Sequence, residues 1–369
     1  MAQVAVVHNT LDFQGGADAV CLATCEALSS DHEVTLFTLS ETDLAVLADR
    51  FDADVDGIAV RTPPANGSIA KTLGRLAPWI GPQLAVRSVL VARYFRQHAD
   101  AFDLAVSTAN EFSFPGPSVQ YVHYPQFHLY DLEDGDPGRL NPLWSRIAAP
   151  DRPDLQRATL LANSAWTAEV VAELYGVRPA VVAPPVDPIE EGLDWDDRQQ
   201  GIVVVGRIAP DKRVLDAISL IDRLRDRGHD VHLHVVGSTP RSYRQYADRV
   251  AAAVDQRSYV DLERDVSRDR LETLLRTHRY GLNLKPDEHF GMSVAEYVSA
   301  GMIAFAPDGG GQRDILDGRP DRLFDSLAAA VDRIDTAITT DDRPSLRRDR
   351  FTRDQFKAAI STYVNQTLE

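Results

Sequence analysis

A chain of 369 residues, 44% hydrophobic and 8% aromatic, carries enough apolar material for two α/β domains with substantial cores. Its net charge of −16 arises from 41 Asp and 14 Glu against 35 Arg and 4 Lys, which argues against a nucleic-acid binder, since that would carry a basic face. No run of about 18 uncharged apolar residues is present, so no transmembrane helix is expected.

The opening residues lack a basic stretch and lead straight into a strand, so no signal peptide is expected and the cytoplasm is the expected compartment. An Asp-rich, Lys-poor surface is of the kind carried by proteins of salt-loving organisms, although high genomic G+C content would push composition the same way. Cys21 and Cys25, four apart in an expected helix, read as small apolar residues of a reducing compartment.

Val4–His8 is an apolar run of the parallel-sheet type. A loop with Gly15 and Gly16 follows, then a helix with Ala19, Leu22, Ala23, Ala27 and Leu28 spaced for packing. A glycine pair between a first strand and its helix is a place where phosphate can meet backbone N–H groups, or it is a plain connection. It is not a G-x-G-x-x-G turn, which counts against a dehydrogenase. Val34–Thr38 and Ile58–Val60 are the next expected strands, with a helix over Glu41–Arg50 between them. Residues 57–99 then contain no Asp or Glu, where the chain average would place about six. Lys71, Arg75, Trp79 and Arg87 lie in this basic and apolar island, a candidate for docking on an anionic membrane or lipid phosphate. A helical pair with solvated arginines fits the same pattern.

Leu104–Ser107 and Ser118–Pro125 are further expected strands, the latter carrying His123 towards the C-terminal end, where open α/β sheets collect ligands. His123 is either a ligand contact or a hydrogen-bonded structural residue. Asp134 and Asp136 form an Asp-x-Asp triplet of the sort that 41 aspartates produce by chance. Thr159–Thr167 reads as a strand running into a helix capped by Ser164. Residues 188–200 have linker composition. Beyond them a buried strand ends at Gly206, and Val214, Ile218, Ile221 and Leu224 mark a helix stripe. Arg207 and Lys212 therefore stand at a strand end and a helix start, a pair of cations suited to a diphosphate. His232 and His234 share one face of the next strand, but the sequence shows no third ligand, so no metal is expected.

Glu288 and Glu296 are eight positions apart around Phe290, Gly291 and Met292, between an expected strand end (Tyr280–Leu284) and a helix. Gly291 lets backbone approach a ligand, and the helix start offers N–H groups to an anion. Ser293–Glu296 fits a capping box equally well. Asp308–Gln312 is another backbone-rich loop after the strand Ile303–Pro307, and Thr352–Leu368 is a last helix.

The run EHFGMSVAE (288–296), followed by Ala300 and Gly301, resembles the E-x7-E motif of family-4-type retaining glycosyltransferases. Its form is especially similar to GDP-mannose-dependent mannosyltransferases that extend lipid-linked (dolichol) oligosaccharides. Gly206–Lys212 (GR-x-x-x-x-K) and Tyr121–Pro125 (YVHYP) resemble that family too, as do residues 163–167 and the PPVD that ends at Asp187; the likeness covers nearly the whole chain. It implies the α/β GT-B fold, two Rossmann-like domains with parallel sheets facing across a cleft. Residues 1–187 would form the acceptor-side domain with a returning helix at 350–369, then a linker at 188–200 and a nucleotide-sugar domain at 201–349.

The resemblance implies transfer of a hexose with retention, first of all mannose from GDP-mannose, to a lipid-linked or other glycan acceptor. It implies no cofactor and no required metal, and peripheral contact with the cytoplasmic membrane face. Arg207 and Lys212 would stabilise the departing diphosphate with the amides of Gly15 and Gly16. Glu288 would hold sugar hydroxyls, Phe290, Gly291 and Met292 would line the donor, and Glu296 would accept from the ribose. His123 would orient sugar or acceptor, and residues 259–266 would lie near the base. Lys285 and Asp287 replace the small polar residues common before the first Glu, which leaves UDP-glucose or another donor open. Two alternatives stand: a soluble glycosyltransferase using a UDP-hexose on a small acceptor, and a catalytically silent lipid- or nucleotide-sugar-binding partner protein.

Overall fold

The computed structural model describes residues 1–369 apart from 14, 81–83, 128–148, 151, 188, 191 and 240–242; the side chains of 74, 76–80 and 84 are also outside the described set. Asp134, Asp136 and the Trp79 side chain therefore lie outside the described residues. The chain divides into unit 1, Met1–Pro185 with Arg353–Glu369, and unit 2, Val186–Thr352.

Among the described residues, unit 1 holds seven parallel strands: β1 Gln3–Val7, β2 Glu33–Phe37, β3 Ala59–Arg61, β4 Leu104–Ser107, β5 Ser118–Val122, β6 Thr159–Ala162 and β7 Ala180–Val181, in spatial order β3-β2-β1-β4-β5-β6-β7. Alternate residues of β1 feed two cores. Val4 and Val6 join a cluster with Leu22, Cys25 and Leu28, while Ala5 and Val7 pack with Phe37, Val91 and Phe95 on the other face. Burial on both faces explains why the strand reads as an unbroken apolar run. The last helix, Arg353–Leu368, belongs to this unit. Phe356, Ile360 and Val364 are its buried stripe, worth roughly 1.5–3 kcal/mol each. Phe356 meets Tyr121 at 5.8 Å between rings, and Lys357 Nζ reaches Glu26 at 2.8 Å.

Among the described residues, unit 2 holds six parallel strands: β8 Gln199–Val205, β9 His232–Gly237, β10 Val260–Arg264, β11 His278–Leu282, β12 Ile303–Pro307 and β13 Leu323–Phe324, in order β10-β9-β8-β11-β12-β13. The chain builds outward from β8 through β9 and β10, then returns to the other side of β8 for β11. That reversal makes the C-terminal ends of β8 and β11 a topological switch point, the crevice where such sheets bind ligands. It sets Gly206–Lys212 beside Asn283–Glu288.

The expected linker is partly built into unit 2. Gln199 and Gln200 open β8, and the buried Arg198 donates to the carbonyls of Leu193 (3.0 Å), Ala300 (2.9 Å) and Gly301 (3.2 Å). An arginine thus satisfies carbonyls left open just past the helix Met292–Ser299.

Candidate functional site

Lys212 is delivered by a tight 3₁₀ turn, Pro210–Lys212, that follows β8. Arg213 then adopts a left-handed conformation (φ 52°) before the helix Val214–Asp226. The Lys212 ammonium group donates to Glu288 Oε2 at 2.5 Å, and Lys285 Nζ stands 3.7 Å from the other carboxylate oxygen. Lys212 and Glu288 are each only 16% exposed. Burial by itself raises the Glu288 pKa, but Lys212 and Lys285 outweigh it and hold the carboxyl below its ordinary range.

The backbone of Glu288 is clamped from the loop after β12. Gly311 N donates to Glu288 O at 2.8 Å. Gly310, at φ +65°, passes so close that an added Cβ would lie 2.3 Å from Glu288 O and 2.6 Å from its N. Gln312, fully buried, locks the same loop. Its amide accepts from Asn283 Nδ2 (2.6 Å) and donates to the carbonyls of Lys285 (3.1 Å) and Pro307 (3.2 Å). The glycine run at 309–311 is the sequence signal for this clamp; nothing local marks Asn283 or Gln312 as its partners. A depression of about 280 Å³, lined among others by Arg213, Leu284, Pro286, Asp308 and Gly309, opens at the same strand ends.

Arg207 is placed differently. Its guanidinium is 53% exposed and pairs with Asp211 at 3.4 Å, so Lys212 and Lys285, rather than Arg207, are the cations on Glu288.

Glu296 does not close a capping box. The N-cap of its helix is Gly291 (φ 105°), with no side-chain cap, and Glu296 accepts instead from Arg268 Nη1 at 2.6 Å. Arg268 also donates to Glu272 at 2.8 Å, which fixes the guanidinium across two acids. Met292 opens the helix, and Phe290 is buried against Phe351 with ring centroids 5.4 Å apart. Tyr297, on the same helix, accepts from Val205 N at 2.7 Å and so ties the acid-bearing helix to the end of β8.

On unit 1, His123 donates Nε2–H to the carbonyl of Thr108 (3.1 Å), and its own amide donates to Asn110 Oδ1 (2.7 Å). The amide of Gly15 is committed to Asp18 Oδ2 (3.0 Å), whose other oxygen meets His8 Nε2 (3.0 Å). Gly15 therefore closes the cap of the helix Gly16–Ser29 rather than facing solvent with its N–H. Glu111, 1% exposed, accepts from the Tyr175 hydroxyl at 2.9 Å. Burial pushes its pKa up to about 7, against the lowering effect of its hydrogen bonds.

The basic island splits. Lys71 and Arg75 are exposed, but Arg87 is only 4% exposed. Its Nη1 donates to Thr10 Oγ1 (2.9 Å), Asp12 Oδ2 (3.0 Å) and Leu39 O (3.1 Å), so it holds the loop after β1 and offers no charge to a membrane. Among the described residues no helix is long and apolar enough to cross a bilayer.

Residues 186–349 match the family model described as "Glycosyl transferases group 1", over almost the whole of unit 2. Unit 2 is a group 1 glycosyltransferase domain. The chain is 26% identical over 222 residues to an Eremothecium gossypii protein named "GDP-Man:Man(3)GlcNAc(2)-PP-Dol alpha-1,2-mannosyltransferase", covering 52% of this chain and 37% of that one. A Neurospora crassa protein of the same name is 26% identical over 260 residues, covering 55% and 47%. The chain thus spans less than half the length of these curated relatives. Among solved structures it is similar to Anabaena Alr3699/HepE in complex with UDP and glucose, with a TM-score of 0.68, 14% identity, and coverage of 99% of this chain and 100% of that one. Its two parallel-sheet, Rossmann-like units have the GT-B type of fold. Within the group 1 domain, Lys212, Glu288 and Glu296 stand on the elements described above.

Proposed function

We propose that this protein is a retaining glycosyltransferase whose group 1 domain binds a nucleotide diphosphate sugar, GDP-mannose in the first instance, and passes its hexose to a lipid-linked glycan. The observation that carries the reading is the Lys212–Glu288 pair at the β8/β11 switch point, held on a glycine-clamped backbone. A diphosphate arriving there competes for Lys212, and the released Glu288 carboxylate becomes an acceptor for sugar hydroxyls and a counter-charge for the oxocarbenium-like carbon. The bond from the anomeric carbon to the diphosphate oxygen breaks while the acceptor oxygen bonds to that carbon from the same face. The acceptor proton passes to the departing phosphate oxygen, with Lys212 offsetting the negative charge. The reading requires no metal for transfer. Glu296, oriented by Arg268, is assigned to the ribose hydroxyls. To unit 1 we assign the acceptor, with His123 as its contact. Lys71 and Arg75 supply exposed cations for a membrane face.

Mannose and the lipid-linked acceptor are supported by the names of the curated relatives and by the EHFG form of the motif. The test is a thermal-shift panel of GDP-mannose, UDP-glucose and UDP-GlcNAc, followed by transfer assays with the donor that binds. GDP-mannose should give the largest shift. Glu288→Gln should abolish transfer and leave nucleotide binding nearly intact; wild-type turnover in that variant would end the assignment.

A further inference from the structure

We propose that His232, His234 and His278 form a binding site for a transition-metal dication of the zinc class at the edge of the unit 2 sheet opposite Glu288. His232 opens β9 and His278 opens β11, the two neighbours of β8, and their rings meet over Gly201 of that strand. Glycine is what makes the room: a Cβ at Gly201 would stand 2.4 Å from both His232 Nε2 and His278 Cδ2. His234 follows two residues after His232 and so projects from the same face. The third ligand that the sequence does not reveal is supplied by strand order.

One nitrogen from each ring lies within 4.8 Å of the others, and His232 Nε2 is 3.0 Å from His278 Nε2. Two nitrogens bound tetrahedrally to one zinc at ordinary Zn–N lengths are about 3.3 Å apart, so this separation needs little adjustment. The ring protons are arranged for metal. His278 Nδ1 faces the carbonyl of Leu274 at 2.8 Å, and His234 Nδ1 faces Glu263 Oε1 at 2.8 Å. Both partners accept, so both Nδ1 atoms carry the proton and both Nε2 atoms present lone pairs, the tautomer that outer-shell carbonyls and carboxylates impose on metal-bound histidine. Moving the single His232 proton from Nε2 to Nδ1 leaves a lone pair on Nε2 of each of the three rings. Glu263 is itself held by Arg270 at 2.7 and 2.8 Å.

His232 is half-buried, and exposed Asp230 and Asp261 stand nearby, leaving an approach for the ion and an outer position for water. Gly201 is five residues before Gly206, roughly 16 Å along the strand. The ion would thus fasten β9 and β11 across β8 without touching the transfer chemistry.

The test uses the full, tag-free chain stripped with EDTA, titrated with Zn²⁺ by calorimetry and with Co²⁺ by visible absorption. One ion per chain should bind, with the intense visible band of four-coordinate cobalt and a rise in Tm; Mg²⁺ should do neither, since imidazole favours zinc-like ions. His232→Ala should weaken Zn²⁺ binding more than 100-fold, and Glu263→Gln by about 10–100-fold. In both, the nucleotide thermal shift should be kept, which separates this site from the transfer reading and checks folding. No stoichiometric Zn²⁺ binding in the wild type, or unchanged affinity in His232→Ala, overturns the site.

Discussion

Gly310→Ala probes the clamp on Glu288 with one methyl group. Two costs can be worked from the structure. Placing an L-residue at φ +65° costs about 1–2 kcal/mol of backbone free energy. The new Cβ would also lie 2.3 Å from Glu288 O, where ordinary contact begins at 3.4 Å, so the Glu288 backbone must retreat by about 1 Å. The neighbouring Gly311 N–H bond to Glu288 O, 2.8 Å long, is strained by the same movement. A misplacement of that size costs on the order of 100-fold in rate. Gly318→Ala is the matched control: its φ is +64°, but nothing lies within 4 Å of its added Cβ, so it pays only for the backbone. Gly318→Ala should lose roughly 2–8 °C in Tm, given about 2–4 °C per kcal/mol for a domain of this size, and Gly310→Ala should lose more because it bears the contact cost as well. Only Gly310→Ala should also lose about 100-fold in kcat/KM for donor hydrolysis or transfer. If the two variants have the same kcat/KM, the clamp does not position Glu288 and the reasoning fails.

Arg87→Met leaves Asp12, Thr10 and the Leu39 carbonyl without their shared donor and should cost about 3 kcal/mol in urea unfolding. Arg87→Lys should recover only part of it, because one ammonium cannot reproduce the guanidinium's reach; a Met variant as stable as wild type would refute the buried role. Glu111 gives a pH signature. Its folded pKa of about 7 lies above the ordinary 4.5, so its contribution is fully present below pH 4.5 and is lost as pH rises to about 7. Relative to Glu111→Gln, the wild type should lose about 3 kcal/mol between pH 4.5 and 7.5 in denaturant titrations; parallel stability curves would show that the carboxyl ionises freely.

Much of the fold is readable along the chain. Leu104–Ser107 and Ile303–Pro307 are strands over the residues expected, and other expected strands shift at their ends by one to three residues. Ser164 caps its helix through Thr167 N at 3.1 Å, as its position before Ala165 suggests. Such features are local: an apolar run buried on both faces of a parallel sheet, or a hydroxyl before a helix, carries its reason within a few residues. Charge patterning was less reliable. The acid-free stretch holds both the exposed Lys71 and the buried Arg87, because whether a cation meets water or a carboxylate depends on what packs over it.

By itself, the sequence determined the strand-and-helix alternation, the class of parallel α/β sheet, and the residue types from which a diphosphate and sugar site can be made. Tertiary structure alone decided which of them meet. Lys212 reaches Glu288 across 76 positions because β8 and β11 are neighbours at a switch point, while Arg207, five residues before Lys212, pairs with Asp211. Glu296 meets Arg268 and not a helix cap, and His278 joins His232, 46 positions earlier, over Gly201 of the strand between them. Periodicity records which face a side chain takes; only strand order and register settle what stands opposite, since those follow from burying the whole set of apolar faces at once.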